Sequence, residues 1–166
     1  MSSVFPSTEN QQSTSLFFQH QKLGAKFSEY AGWTMPIYYD GIRIEHHAVV
    51  NKCGLFDVSH MGQIFICGSD AIGFIRHLLP FRFSRLSVGN LQYTPMCNSS
   101  GGTIDDLIIY RLQESEFLLI VNAARTDVDW GWIQQISRSY ENLDIVNRTS
   151  NYSLLAIQGP TSKSIL

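Results

Sequence analysis

The feature that most constrains this chain is the run from Leu91 to Asn122. Three apolar and aromatic segments, "LQYTPMC", "TIDDLIIYRL" and "EFLLIVN", are joined by "NSSGG" and "QESE". Segments rich in β-branched and aromatic residues and bounded by turn formers read as strands, and connections this short make them antiparallel neighbours. A three-stranded antiparallel meander is predicted. Pro95 marks an edge or a bulge in its first strand.

Within this run, "GGTIDDLIIY" sets two adjacent aspartates at the mouth of an apolar strand. Carboxylates are costly to bury without partners. Successive side chains of a strand point to opposite faces, so Asp105 and Asp106 are expected to diverge and not to share a proton with each other. Alternation groups Asp106 with Ile104, Ile108 and Tyr110, and Asp105 with Thr103, Leu107 and Ile109. Two readings stand side by side. Either one aspartate lines a pocket with Ile108 and Tyr110, or both belong to the turn after Gly101-Gly102, where Asp is common.

The flanking sequence supplies helices and further strands. "SDAIGFIRHLL" carries an apolar stripe of Ile72, Ile75, Leu78 and Leu79 behind an N-cap at Ser69. Residues 123–140 read as a helix capped by Asn122. "GQIFICG" is a short strand, and "DIVNRT" and "SLLAIQG" are two more, joined by a turn at Ser150-Asn151. Toward the N-terminus, Ser15 caps and Gly24 stops a short helix over 15–23. Residues 24–41 are aromatic-rich irregular chain or short strands, and 42–53 form a helix ended by Gly54. Residues 1–14 read as a polar tail. "GPTSKSIL" begins a helix that ends after about one turn, too short to be stable alone, so the fold is expected to be truncated.

Several function classes find no support. The formal charge of -2 gives no electrostatic reason to propose nucleic acid or an acidic membrane. Three cysteines without a CxxC pair read as free thiols in a reducing compartment. No apolar run is long enough to span a bilayer, and the N-terminus lacks the features of a targeting segment, so the expected location is cytoplasmic. His46 and His47 are adjacent on a helix and point about 100° apart, without metal-site spacing. His60 reads as an ordinary loop histidine, and no GxSxG, GxGxxG or P-loop occurs. No metal site is expected.

The stretches "LGAKFSEYAGWTMPIYY", "HHAVVNKCGLFDVSHMG", "QYTPMCNSSGGTIDDLIIYR", "LLIVNAAR" and "AIQGPTS" carry a family resemblance. In order and spacing the chain resembles the T-protein family of the glycine cleavage system, the tetrahydrofolate-dependent aminomethyltransferases, from about residue 15 to Leu166. "GLFDVSHMG" and "GGTIDDL" are its most specific parts. The resemblance implies an α+β fold, an antiparallel sheet with flanking helices. It implies a first part of domain 1 over 15–55, a second domain over 56–143 carrying the Asp motif, and a return to an incomplete domain 1 over 144–166.

The implied reaction moves a one-carbon unit from the aminomethyl-lipoyl arm of the H-protein to tetrahydrofolate. Ammonia is released and 5,10-methylenetetrahydrofolate is formed. Asp106 takes the family's catalytic place, and Met61, Tyr93, Ile108, Tyr110 and Asn122 join it at positions that line the folate channel. The implied partner is the lipoylated H-protein, with neither nucleic acid nor membrane. A fixed carboxylate in a partly dry pocket suits this chemistry. It stabilises positive charge developing on the one-carbon unit, and it accepts a hydrogen bond or proton from the attacking nitrogen. Thr14-Ser15 and Val50 depart from the family pattern peripherally, and the groups that hold the pterin ring belong to sequence beyond Leu166. The alternatives are a folate-binding module without transferase activity, or a shortened subunit needing a partner. A third, the folate domain of a sarcosine or dimethylglycine oxidase, is disfavoured because the chain has no Rossmann fingerprint.

Overall fold

The computed structural model describes residues 11–166, arranged as two units. The first unit runs to His60 and resumes over Ser153–Leu166, and the second spans Met61–Tyr152. The first opens with β1 (Gln12–Ser13), α1 (Phe17–Lys22), β2 (Lys26–Tyr30), β3 (Trp33–Tyr38), α2 (Ile42–Asn51) and β4 (Gly54–Asp57). The second holds β5 (Gly62–Cys67), α3 (Ala71–Leu78), β6 (Leu91–Cys97), β7 (Thr103–Gln113), β8 (Glu116–Val121), α4 (Thr126–Ser137) and β9 (Asp144–Asn147). Short 3-10 turns lie at Phe83–Arg85, Ala123–Arg125 and Thr149–Asn151. β10 (Leu155–Gln158) and α5 (Ser162–Ile165) complete the first unit. The class is α+β with antiparallel sheets and flanking helices, as expected.

In the second unit β6, β7 and β8 form the predicted meander. β5 and β9 extend it to five strands in the order β6-β7-β8-β5-β9, with every neighbour antiparallel. The turn before β7 is locked by Asn98. Its Oδ1 accepts from Ser100 N at 3.0 Å and from Gly102 N at 2.9 Å, and Gly101 takes a φ of +84° that favours glycine.

One face of this sheet is sealed. Ile64, Ile66, Leu107, Ile109, Phe117, Leu119 and Val121 pack with Phe74, Ile75 and Leu78 of α3 and Ile133 of α4. Ala71, Phe74, Ile75 and Leu78 recur at the i, i+3, i+4, i+7 spacing that puts them on one helix stripe. Each large side chain so buried contributes about 1.5–3 kcal/mol. Gly62 is needed where β5 meets the start of α4. A Cβ there collides with the Val121 side chain and meets Thr126 Oγ1 at 2.9 Å.

Several sequence expectations are corrected. The compact units divide after His60 and after Tyr152, and β9 pairs with β5 inside the second unit. β9 and β10 are not partners. β10 pairs with β4 instead. Residues 1–10 of the expected tail lie outside the described residues, but Gln12–Ser13 pair in parallel with Trp33–Thr34, satisfying part of the free edge of β3. Neither Ser15 nor Ser69 caps a helix. Ser15 Oγ lies 2.5 Å from Ser153 Oγ, and α3 starts after Asp70. Of the two readings of residues 24–41, short strands is the one found, paired as the β2–β3 hairpin. Among the described residues no helix is long and apolar enough to cross a membrane.

The first unit is tied together by a polar relay. His20 Nε2 lies 2.8 Å from Asp57 Oδ2, and His20 Nδ1 lies 2.7 Å from Tyr39 Oη. A ring that donates Nε2–H to the carboxylate can accept the Tyr39 proton at Nδ1. Ser59 N donates to Asp57 Oδ1 at 3.0 Å. Burial pushes the Asp57 carboxyl up, but the hydrogen bonds from Ser59 and His20 outweigh it and hold the group below its ordinary value.

Gly62→Ala lowers unfolding free energy by about 1–3 kcal/mol, read from the denaturant midpoint, because buried Val121 has to shift. Asp57→Asn costs about 1–3 kcal/mol at neutral pH. A depressed carboxyl gives stability that is full above its unfolded value and lost as pH falls through the folded one. The variant should therefore also lose stability less steeply on acidification. An acid limb as steep as the parent's overturns the relay's role.

Candidate functional site on the open face of the sheet

Alternation and the sealed face decide where each side chain of β7 points. Leu107 and Ile109 are buried on the helix-covered side, so Asp105 falls on that side and Asp106, Ile108 and Tyr110 fall on the other. In β6, Tyr93 stands opposite Ile108, and Pro95 opposite Asp106. Tyr93, Asp106, Ile108 and Tyr110 thus share the open face. Ile120 and Gln63 continue the Tyr93–Ile108 row across β8 and β5. Tyr93 is exposed, and Ile108 and Tyr110 are half-buried.

Asp106 is held at both carboxylate oxygens. Tyr93 Oη donates to Oδ2, and Asn122 Nδ2 donates to Oδ1 at 2.8 Å. The same Nδ2 lies 3.1 Å from the Asp106 carbonyl oxygen and 3.0 Å from Asp105 Oδ1. Asn122 directly follows β8, and its side chain makes no capping hydrogen bond. Its carbonyl instead accepts from Thr126 Oγ1 at 3.1 Å at the start of α4. Sequence reasoning reads Asn122 as a cap. The two neighbouring carboxyls claim its amide instead.

The two aspartates diverge as the strand period requires, yet their carboxyl oxygens meet at one amide. The register slips between Met96 and Cys97, so that Ile104 is left over opposite them. A bulge of this kind sharpens local twist. The second reading of the pair, as mere turn residues, does not describe the contacts. The turn's backbone is satisfied by Asn98 and not by either aspartate.

Two further residues belong to this neighbourhood and carry no local sequence signal. Asp129 of α4 is fully buried. Burial first, and then its contact with the Asp105 carboxyl, push its own carboxyl up to about 7, while Arg125 opposes the shift. Gln63 is buried, and its Nε2 has no hydrogen-bond partner among the described residues. Met61 lies immediately ahead of β5 and is half-buried. His46 and His47 sit edge to face on α2, and His60 packs on Tyr30. Among the described residues no group of three or more His, Cys, Asp or Glu is placed to hold a metal ion. Cys53, Cys67 and Cys97 are free.

Comparison with known proteins shows the family. The family described as GCVT N-terminal domain matches residues 16–166. An aminomethyltransferase of Desulfitobacterium hafniense (strain Y51) is 45% identical over 153 residues, which are 92% of this chain and 42% of that protein. An aminomethyltransferase of Halothermothrix orenii is likewise 45% identical over 153 residues, 92% of this chain and 42% of that protein. The crystal structure of glycine cleavage system aminomethyltransferase T from Bartonella henselae aligns with a TM-score of 0.86 and 34% identity. It covers 93% of this chain and 42% of that one. The chain therefore spans about 42% of the length of these curated relatives.

The bridging amide makes a direct prediction. Asn122→Ala leaves Asp105 Oδ1 and Asp106 Oδ1 without their shared donor. The variant should lose about 1–3 kcal/mol in urea unfolding. An unchanged midpoint means that the bridge contributes nothing.

Proposed function

The chain belongs to the GCVT N-terminal domain family, and from that premise we propose that it is the Asp106-bearing part of an aminomethyltransferase of the glycine cleavage system. The proposed reaction takes the aminomethyl carbon from the lipoyl arm of the H-protein to tetrahydrofolate, with release of ammonia. One observation carries the reading. Asp106 stands on the open face with both oxygens oriented, beside a wall of Tyr93, Ile108 and Tyr110. The cytoplasm is the compartment this reading assigns.

The residues present suit a folate. Ile108 and Tyr110 offer an apolar and aromatic surface to a flat ring, and Asp106 offers an acceptor to a ring N–H. Tetrahydrofolate supplies the nitrogen that takes up the one-carbon unit. Met61 and Asn122, at the same end of the sheet, complete the proposed folate-facing set.

The chain's own contribution is electrostatic. A carboxylate has about four acceptor positions. Tyr93 and Asn122 each fill one on Asp106, which fixes its plane and leaves the others open. Positive charge developing as carbon leaves sulfur and nitrogen meets a negative group that needs no reorganisation. The same oxygens accept the proton or hydrogen bond of the attacking nitrogen. Tyr93, in this reading, orients Asp106 as well as lining the channel.

In the enzyme carrying this chain, Asp106→Asn should lower turnover by about 10²-fold or more. Folate affinity, titrated by calorimetry, should change only a few-fold. Methylenetetrahydrofolate formation from aminomethyl-lipoyl H-protein is the assay. Undiminished turnover removes Asp106 from the chemistry, and folate binding without any turnover in the parent favours a binding module.

A further inference from the structure

Asp129 is a buried acid that the proposed chemistry does not use. Its side chain comes off α4 into the sealed face of the sheet, four residues before the core residue Ile133. Neither of its carboxyl oxygens has a hydrogen-bond donor among the described residues, and neither does Asp105 Oδ2. Asp105 is nonetheless the neighbouring group that weighs most on the Asp129 carboxyl after burial. Two acids can satisfy each other only when one keeps its proton. If both ionise, three buried oxygens lack a donor and two like charges face each other in the core.

We propose that Asp129 keeps its carboxyl proton and donates it in a hydrogen bond to Asp105, and that this one-proton pair positions Asp106 through the Asn122 amide. One proton then serves the Asp129 oxygen that carries it and Asp105 Oδ2, two of the three oxygens without a donor, and the pair carries a single negative charge. Asp105 Oδ1 accepts from Asn122 Nδ2, and the same amide holds Asp106 Oδ1, so the link continues to the open face. Asp129 is a positioning residue, two side chains removed from Asp106. The pairing stands whether or not Asp106 does chemistry. Its importance for turnover rests on the function proposed above.

The surroundings agree. The charged groups acting on Asp129 are Asp105 and Asp106 from β7 and Arg125 from the turn before α4. Arg125 Nη2 donates to the Ile104 carbonyl at 3.1 Å, so it neutralises neither acid directly. α3 also packs on α4, but its Arg76 lies over the Phe83 ring and its His77 bonds Tyr140. The burial and the acidic neighbours push Asp129 to about 7, the direction that keeps the proton.

The test is a carboxyl ¹³C NMR pH titration of this chain, with the aspartates assigned by substitution. Asp129 should titrate close to neutrality and move toward the ordinary carboxylate range in Asp105→Asn, where the like charge is gone. Asp106 should show an inflection at the pH where Asp129 titrates. Asp129→Asn, whose amide supplies the missing donor, should abolish that inflection. An Asp129 that titrates in the ordinary range overturns the pair. An Asp106 signal indifferent to Asp129 overturns the positioning role, since a merely structural acid would not move it.

If Asp105→Asn does not fold, unfolding against pH decides the matter. A carboxyl raised in the folded state gives stability that is full at low pH and lost as pH rises through the folded value. The parent should lose stability between about pH 4 and about pH 7, and Asp129→Asn should not. Identical profiles overturn the pair. Titration of the pair alongside unimpaired Asp106→Asn turnover supports the pairing and rejects the transferase reading separately.

Discussion

Strand alternation along β7 is the constraint on which the site depends. Leu107 and Ile109 have to be buried against α3 and α4, and that choice commits Asp105 to the same face. A one-residue slip would send every side chain of the strand to the opposite side, moving Asp105 out and Asp106 in. The apolar residues therefore place both acids. An acid entering such a face costs several kcal/mol unless a donor meets it. The side chains that reach Asp105 are the Asn122 amide and Asp129. The second is an acid, so it serves only with its proton on.

What results is a polar thread from the interior to the open face: Asp129, Asp105, Asn122, Asp106 and Tyr93. Its members are held by regular elements and not by loops. Asp129 is on a helix, Tyr93 and both β7 acids are in paired strands, and Asn122 follows a strand directly. Side chains so supported keep their geometry better than side chains on mobile segments. The turn that could loosen the start of β7 is closed by Asn98. Hydrogen bonds in such a chain polarise one another in a low dielectric, which strengthens the whole when every member is satisfied.

Much of this was legible in the sequence. The meander was visible because its strands are long and its turns short. The common face of Asp106, Ile108 and Tyr110 follows from a period of two. Asp129 was not legible. Together with Asp127 it stands in the first turn of α4, where acids are common because they favour the helix dipole. Only the packing of α4 on the sheet turns one of them inward. The partners of β9 and β10 were hidden for a related reason. Each pairs with a strand far away in sequence, so no short turn announces it. Residue type alone makes caps of Ser15, Ser69 and Asn122. Whether such a side chain caps or bonds elsewhere depends on neighbours that the local sequence does not contain.

The two buried acids at Asp57 and Asp129 show what this placement means. Asp57 faces Ser59 and His20, and its donors outweigh burial, so its charge adds to stability. Asp129 faces another acid, so burial wins and the proton stays. A carboxyl raised in this way gives up stability as pH rises toward neutrality. A local rule broken in this way, on a rigid element and two side chains from Asp106, is the kind of departure that strained or functional sites carry. The same residue type strengthens the first unit and is set against stability in the second. The difference lies in whether the group opposite each carboxyl has a proton to give.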